Sequence, residues 1–412
     1  MNNADDKFLR LKKWIIDNGG YVSDSFAIRQ VSSGNRTLVA TEDIKKDAVL
    51  VRLPKALLIH EDNIVQRAPL LGPLLNKDNL ERFEVRLTFL LYEAQLHGKT
   101  EAGSFYSPYL DMLPSLEDIR HHPLFCAAPA NLERWAEVDK GFSGFFKALL
   151  KNVTAYWDKL LQFNKENNHL FDDEYTDYEY ILWGFISLMS RQFDAFGLVP
   201  MIDMFQHRSG HVSFLQKDYT DINLLECITR TACPKDKEIF NNYGHSDEID
   251  VLRVYGFLDE NIDRYFVSVP IYDQLIDNSC TGPKKTILEK LRPKTSFYLT
   301  SKGPSKILIR HLRALYAANE ELLHVPEENI EKFFDKKIGL NSEYRAVFKL
   351  IEIINELKRG MTSSPEYCSE LINRKADHPI TVLLAKAVLR KHQVLDECLK
   401  IAQNMKAELS QS

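Results

Sequence analysis

The stretch Leu188–His207, LMSRQFDAFGLVPMIDMFQH, together with Lys237–Ile262, KEIFNNYGHSDEIDVLRVYGFLDENI, decides how the chain is read. Each contains a short run with strand character, GLVPMIDMF and KEIFNNYG, beside turn-forming Gly, Asn or Asp. Further strand-like runs follow or lie between them: VSFLQ, NLLECITRTA and RYFVSVPI. Another group stands far upstream, between Ala27 and Ile59, where FAIRQV, TLVA and AVLVRLPKALLI are broken by Ser-Gly-Asn and Lys-Lys-Asp.

Between the two groups the apolar spacing is helical, as in LERFEVRLTFLLYEAQL and FFKALLKNVTAYWDKLLQF, interrupted by the loop FYSPYLDMLPS. A helix is also expected over Phe8–Asn18. The β material is therefore split by a helical insertion over about 62–180, and the fold class is α+β. Beyond Cys280 the spacing is helical again, in KILIRHLRALYAANEELL, SEYRAVFKLIEIINELKRG and ITVLLAKAVLRKHQVLDECLKIAQ, without a fixed repeat period. Two domains follow, 1–280 and an all-α 281–412.

With 412 residues the chain is long enough for two such cores, and 44% apolar with 27% charged residues is a globular balance. The net charge of −5 argues against broad nucleic-acid coating, so no direct nucleic-acid partner is expected. Residues 281–412 hold 23 basic and 16 acidic side chains, net +7, leaving the amino-terminal part at −12. The first twenty residues lack a signal peptide's apolar core and no run approaches a membrane span, which predicts a cytoplasmic or nuclear protein, or both, and no membrane partner. The six cysteines contain no C-x-x-C pair and read as reduced, mostly buried thiols. A monomer is expected.

G-x-G-x-x-G, G-x-x-x-x-G-K-S/T and G-x-S-x-G are all absent, which removes the common nucleotide-binding and serine-hydrolase readings. His207 and His211 stand four apart near Asp203, but the intervening Ser-Gly disfavours a helix that would aim both at one metal. No metal is expected.

Four segments occur in order: TLVATEDIKKDAVLVRLPKALLI (Thr37–Ile59), SPYLDMLPS (Ser107–Ser115), and the two stretches quoted first. In this order and spacing the chain resembles the SET-domain protein methyltransferases, and within them the branch typified by the Rubisco large-subunit lysine methyltransferase. That resemblance implies a SET-domain β-fold carrying a helical insertion, followed by a helical substrate-binding domain. It implies S-adenosylmethionine as cofactor and a protein bearing a target lysine as substrate, non-histone and by analogy a ribosomal protein or translation factor.

By the same resemblance Tyr243 is the catalytic tyrosine at the methyl-transfer centre, and Tyr255 and Phe257 are walls of the substrate channel or cofactor pocket. Arg191 stands beside the cofactor, where a guanidinium suits the carboxylate of its amino-acid end, and Phe193 stands beside the lysine channel. The actin-histidine branch has Asn at the position of Phe193, so an aromatic there implies lysine. The cofactor segment of the family ends in Asn-His and here reads Gln206-His207, one methylene longer. The family's Gly-x-Gly turn aligns with Asn35-Arg36-Thr37, where Asn tolerates left-handed backbone and β-branched Thr does so poorly. Asn35, Arg36, Arg191, Gln206, His207 and Tyr243 are thus the cofactor-binding set. Gln206 and Thr37 also motivate an alternative, a catalytically degenerate SET-fold protein acting as an interaction module. Histidine N-methylation is a third reading.

Overall fold

The computed structural model describes residues 3–32, 35–72, 81–99, 103–193, 195–208, 214–219, 223–243, 247–259, 265–269, 282–291, 297–326, 328–374 and 378–411. Two compact units result, one of residues 1–128, 145–243 and 254–256, the other of 129–144, 244–253 and 257–412.

In the first unit the helix Asn3–Asp17 buries Phe8, Leu11 and Ile15, three and four residues apart, and sets Phe8 edge-on to Phe26 at 6.1 Å. Among the described residues the strands of this unit are β1 Tyr21–Val22, β2 Phe26–Ser32, β3 Asn35–Ala40, β4 Val49–Pro54, β5 Gln206–His207, β6 Phe214–Tyr219, β7 Leu224–Thr229 and β8 Phe240–Asn241. β1, β4, β7 and β6 form an antiparallel sheet in that order, β2 and β3 a hairpin, and β5 lies parallel to β8. Strands more than 150 residues apart in sequence thus pair, as the split β pattern requires: Val51 opposes Cys227.

The intervening helices include Arg82–Lys99, Lys140–Glu166 and Tyr178–Met189. The last is apolar nearly all round and buried from Ile181 to Leu188, so it is a core element that delivers its C-terminal residues to a fixed place. GLVPMIDMF, expected as a strand, departs from that reading. Pro200 lacks an amide donor, Met201 adopts φ 73°, and Ile202–Met204 close a 3₁₀ turn, leaving only the Leu198 bridge and β5 extended. KEIFNNYG likewise contracts to the two residues of β8.

The second unit is mainly helical and carries in addition a small sheet in which β9 Phe266–Val269 pairs with β10 Phe297–Thr300 and β10 with β11 Gly303–Pro304. Its core packs Val267, Leu299, Leu312, Leu350 and Leu395 together. Among the described residues no helix is long and apolar enough to cross a membrane, and Cys227, Cys368 and Cys398 are buried.

Within this unit Glu248 is 3% exposed, with Oε2 accepting from Arg390 Nη1 at 3.1 Å, beside the raised Asp247 and its partner Lys391. Burial, partly offset by Arg390, pushes Glu248 up to about 7 from an ordinary value of 4.5. Between those values the folded chain holds a proton that the unfolded chain has lost, so this group makes stability fall as pH rises through the window. Glu248→Gln is expected to flatten that fall by an amount on the order of a few kcal/mol. Urea unfolding across that pH range reads it, and an unchanged slope would contradict the assignment.

Candidate active site

The first unit brings the ends of several elements together around residues 191–207. After the buried helix Tyr178–Met189, Phe193 and Gly197 exchange hydrogen bonds, N–H to carbonyl, both 2.8 Å long. Gly197 has φ +72°, and a Cβ there would stand 2.1 Å from the Ile59 carbonyl oxygen, so the close crossing of 193–197 with residue 59 demands glycine. Met201 takes φ 73° with ψ −43°, a positive-φ conformation outside the left-handed helical well, with a full side chain while wholly buried, an arrangement that costs on the order of 1–3 kcal/mol. It turns the chain so that Asp203 points inward and Phe205–His207 run beside β8.

Tyr243 stands two residues beyond the end of β8. Its hydroxyl donates to the Phe205 carbonyl at 2.8 Å, and its N–H donates to His207 Nδ1 at 3.1 Å. The Tyr243 ring lies 4.6 Å from that of Tyr255 and 5.0 Å from the His207 imidazole. Burial raises the Tyr243 phenol above its ordinary range, so it stays protonated at neutral pH. Committing its proton to Phe205 leaves the oxygen lone pairs as acceptors.

Gln206 Nε2 donates to the Arg36 carbonyl at 2.8 Å, joining β5 to β3 across the fold. The extra methylene relative to Asn is thus used to reach a neighbouring strand. Arg36 in turn donates Nη2 to the Met112 carbonyl at 3.0 Å, and burial together with the Arg191 charge lowers its pKa. Two guanidiniums therefore share one neighbourhood. The left-handed turn anticipated at Asn35-Arg36-Thr37 is absent: all three are extended within β3, and the Thr37 hydroxyl is bound by Glu238. A β-branched residue suits an extended strand, so Thr37 is no obstacle at this position.

Asp203 is buried with its side chain at 0% exposure. Its Oδ2 accepts from the Tyr109 hydroxyl at 2.6 Å, and Arg191 Nη1 lies 3.7 Å from Oδ2 and 3.4 Å from the Asp203 carbonyl. Burial raises the Asp203 carboxyl, with Arg191 and Tyr109 opposing that shift. Among the described residues Arg191 Nε and Asp203 Oδ1 are buried without a hydrogen-bond partner, a polar pair open to a further polar group.

Of the residues singled out in the sequence, Arg36, Arg191, Gln206, His207, Tyr243 and Tyr255 are joined by these contacts, and half-buried Phe193 stands two residues from Arg191. Asn35 opposes Ser32 in the hairpin. Phe257, partly buried, belongs to the second unit. Tyr109 and Phe205 were not singled out, and Asp203 only as a neighbour of the histidine pair. SPYLDMLPS drew notice as a segment, but nothing in it names Tyr109 as the partner of a residue 94 positions on. Among the described residues no cluster suits a metal, and His211 lies outside them.

No family model matches the chain. It is 25% identical over 362 residues to actin-histidine N-methyltransferase from Rhinolophus ferrumequinum, covering 82% of this chain and 57% of that protein. The Mus musculus protein of the same name is 26% identical over 341 residues, covering 77% and 54%. The chain therefore spans somewhat over half the length of the curated relatives it matches. Among solved structures, the SET domain of LSMT bound to lysine and AdoHcy superposes with TM-score 0.57 at 17% identity, over 98% of this chain and 93% of that one. Rubisco LSMT bound to AdoMet gives 0.56 at 18% over the same shares.

Proposed function

We propose that this chain, which has the SET-domain fold of the Rubisco LSMT structures, is an S-adenosylmethionine-dependent protein N-methyltransferase with lysine as its acceptor. The observation that carries the reading is Tyr243, whose hydroxyl is pinned to Phe205 within the same contact chain as His207, Gln206, Arg36 and Arg191.

The residues present fit the cofactor. Arg191, with a buried unpartnered Nε, would take its carboxylate, Arg36 adds a second positive charge, and the Tyr243 and Tyr255 rings offer apolar walls. When bound, the cofactor supplies an electron-poor methyl group on a sulfonium. The protein's part is positioning. Tyr243 keeps its proton, donated in a hydrogen bond to the Phe205 carbonyl, and directs lone pairs toward the reacting centre, where they stabilise positive charge on the methyl or hold an amine N–H. A tyrosine held neutral by burial is not a base, so the lysine must arrive uncharged, which a dry aromatic channel promotes by lowering its pKa from about 10.4. Phe193 and Tyr255 would line that channel.

The second unit fits docking of a protein substrate, which we assign to residues 281–412: Leu340, Tyr344 and Phe348 are exposed along one face of the helix Leu340–Arg359. We assign the protein to the cytoplasm, the nucleus or both, as a monomer.

A histidine acceptor is the second reading, favoured by the similarity to the actin-histidine N-methyltransferases. Phe193 favours lysine. Incubating a cell lysate with methyl-labelled S-adenosylmethionine and the protein, then locating the label by tandem mass spectrometry, separates them. Label on lysine is expected. Label on histidine would overturn the acceptor while leaving methyl transfer intact, and no label despite cofactor binding would favour an interaction module.

A further inference from the structure

Both guanidiniums at the candidate site are tethered by one short segment of the helical insertion. Residues 107–115 carry Tyr109 and Met112; the Met112 carbonyl holds Arg36 at 3.0 Å, and the Tyr109 hydroxyl holds Asp203 at 2.6 Å. Asp203 then stands against Arg191 through both its carbonyl and its carboxylate. Tyr109 has 0% exposure, so its hydroxyl faces no bulk water and serves Asp203. Tyr109 also senses the Arg191 charge directly, which opposes the rise that burial gives its phenol.

We propose that Tyr109 is a positioning residue that, by holding the Asp203 carboxylate, fixes Arg191 for the carboxylate end of the cofactor. The inference rests on the methyltransferase reading above. Its physical basis is the asymmetry of buried hydrogen bonds: a buried carboxylate that loses its short phenolic donor is left under-satisfied and turns or takes a proton. Either response removes the counter-charge that orients Arg191. The charged and titratable groups facing Asp203 are Arg191, which follows the helix Tyr178–Met189, Tyr109 on the helix Ser107–Leu110, and Tyr243 after β8. Arg36 on β3 faces Arg191 in turn.

The test compares two ligands by calorimetry. S-adenosylhomocysteine carries the amino-acid end; 5′-methylthioadenosine keeps the nucleoside and thioether but lacks that end. Tyr109→Phe is expected to weaken S-adenosylhomocysteine by about tenfold, the scale of a hydrogen bond to a charged group, while leaving methylthioadenosine within about twofold. The loss should grow as pH falls, because Asp203 then protonates more readily. A residue with a merely structural role would weaken both ligands together. Asp203→Asn serves as a second variant and is expected to reproduce the same selective loss if Tyr109→Phe does not fold. Equal loss for both ligands, or no loss for either, overturns the inference while the methyltransferase reading stands. A wild-type protein that binds neither ligand overturns the reading, and the inference with it.

Discussion

Tyr243→Phe is expected to lower methyl transfer by roughly a hundredfold or more while cofactor affinity stays within about threefold. The change removes one oxygen and keeps the ring. That ring packs 4.6 Å from Tyr255 and 5.0 Å from His207, so the wall it forms survives, as does the backbone N–H that donates to His207 Nδ1. What disappears is the hydroxyl that donates to the Phe205 carbonyl, the group proposed to present lone pairs at the reacting centre. A wall residue acts equally on ground and transition states and its loss appears in binding; a group at the reacting centre appears in turnover. Single-turnover transfer and calorimetry on the same preparation make the split measurable, and near-normal turnover would remove Tyr243 from the reacting centre.

Gly197→Ala is expected to destabilise the protein by roughly 3–5 kcal/mol and to weaken cofactor binding with it. The left-handed φ of +72° alone costs an alanine about 1–2 kcal/mol. The larger part comes from a methyl group 2.1 Å from the Ile59 carbonyl oxygen. Both sides of that contact are backbone, and the Leu198–Ile59 bridge and the Phe193–Gly197 hydrogen bonds hold them together, so relief requires moving the segment that carries Arg191 and Phe193. Gly144→Ala is the matched control. It lies within the helix Lys140–Glu166, its Cβ would meet nothing within 4 Å, and the substitution should stabilise by about 0.5–1 kcal/mol. Urea unfolding of both variants checks the pair; equal small effects would show that the 193–197 crossing is not tight.

Much of this architecture was legible because it is written locally. Apolar spacing marks the insertion helices and most strands, and four motifs in order carry the fold resemblance. GLVPMIDMF is not the strand its composition suggests, because β-branched and apolar composition says nothing of the positive φ at Met201, which tertiary packing imposes. Thr37 looked incompatible with a turn that the chain does not make; the hairpin pairs it with Arg29 instead. The contacts that organise the site join residues far apart in sequence, Gln206 with Arg36 over 170 positions and Tyr109 with Asp203 over 94. Periodicity and propensity cannot report such pairs. Gln206 is the instructive case: one methylene longer than the motif's Asn, it reaches a strand carbonyl, so packing accounts for its departure.

The most direct measurement is a calorimetric titration of the wild-type protein with S-adenosylmethionine. One-to-one binding with Kd below roughly 100 μM is the predicted result, and absence of any binding heat up to about 1 mM would contradict the account at its centre.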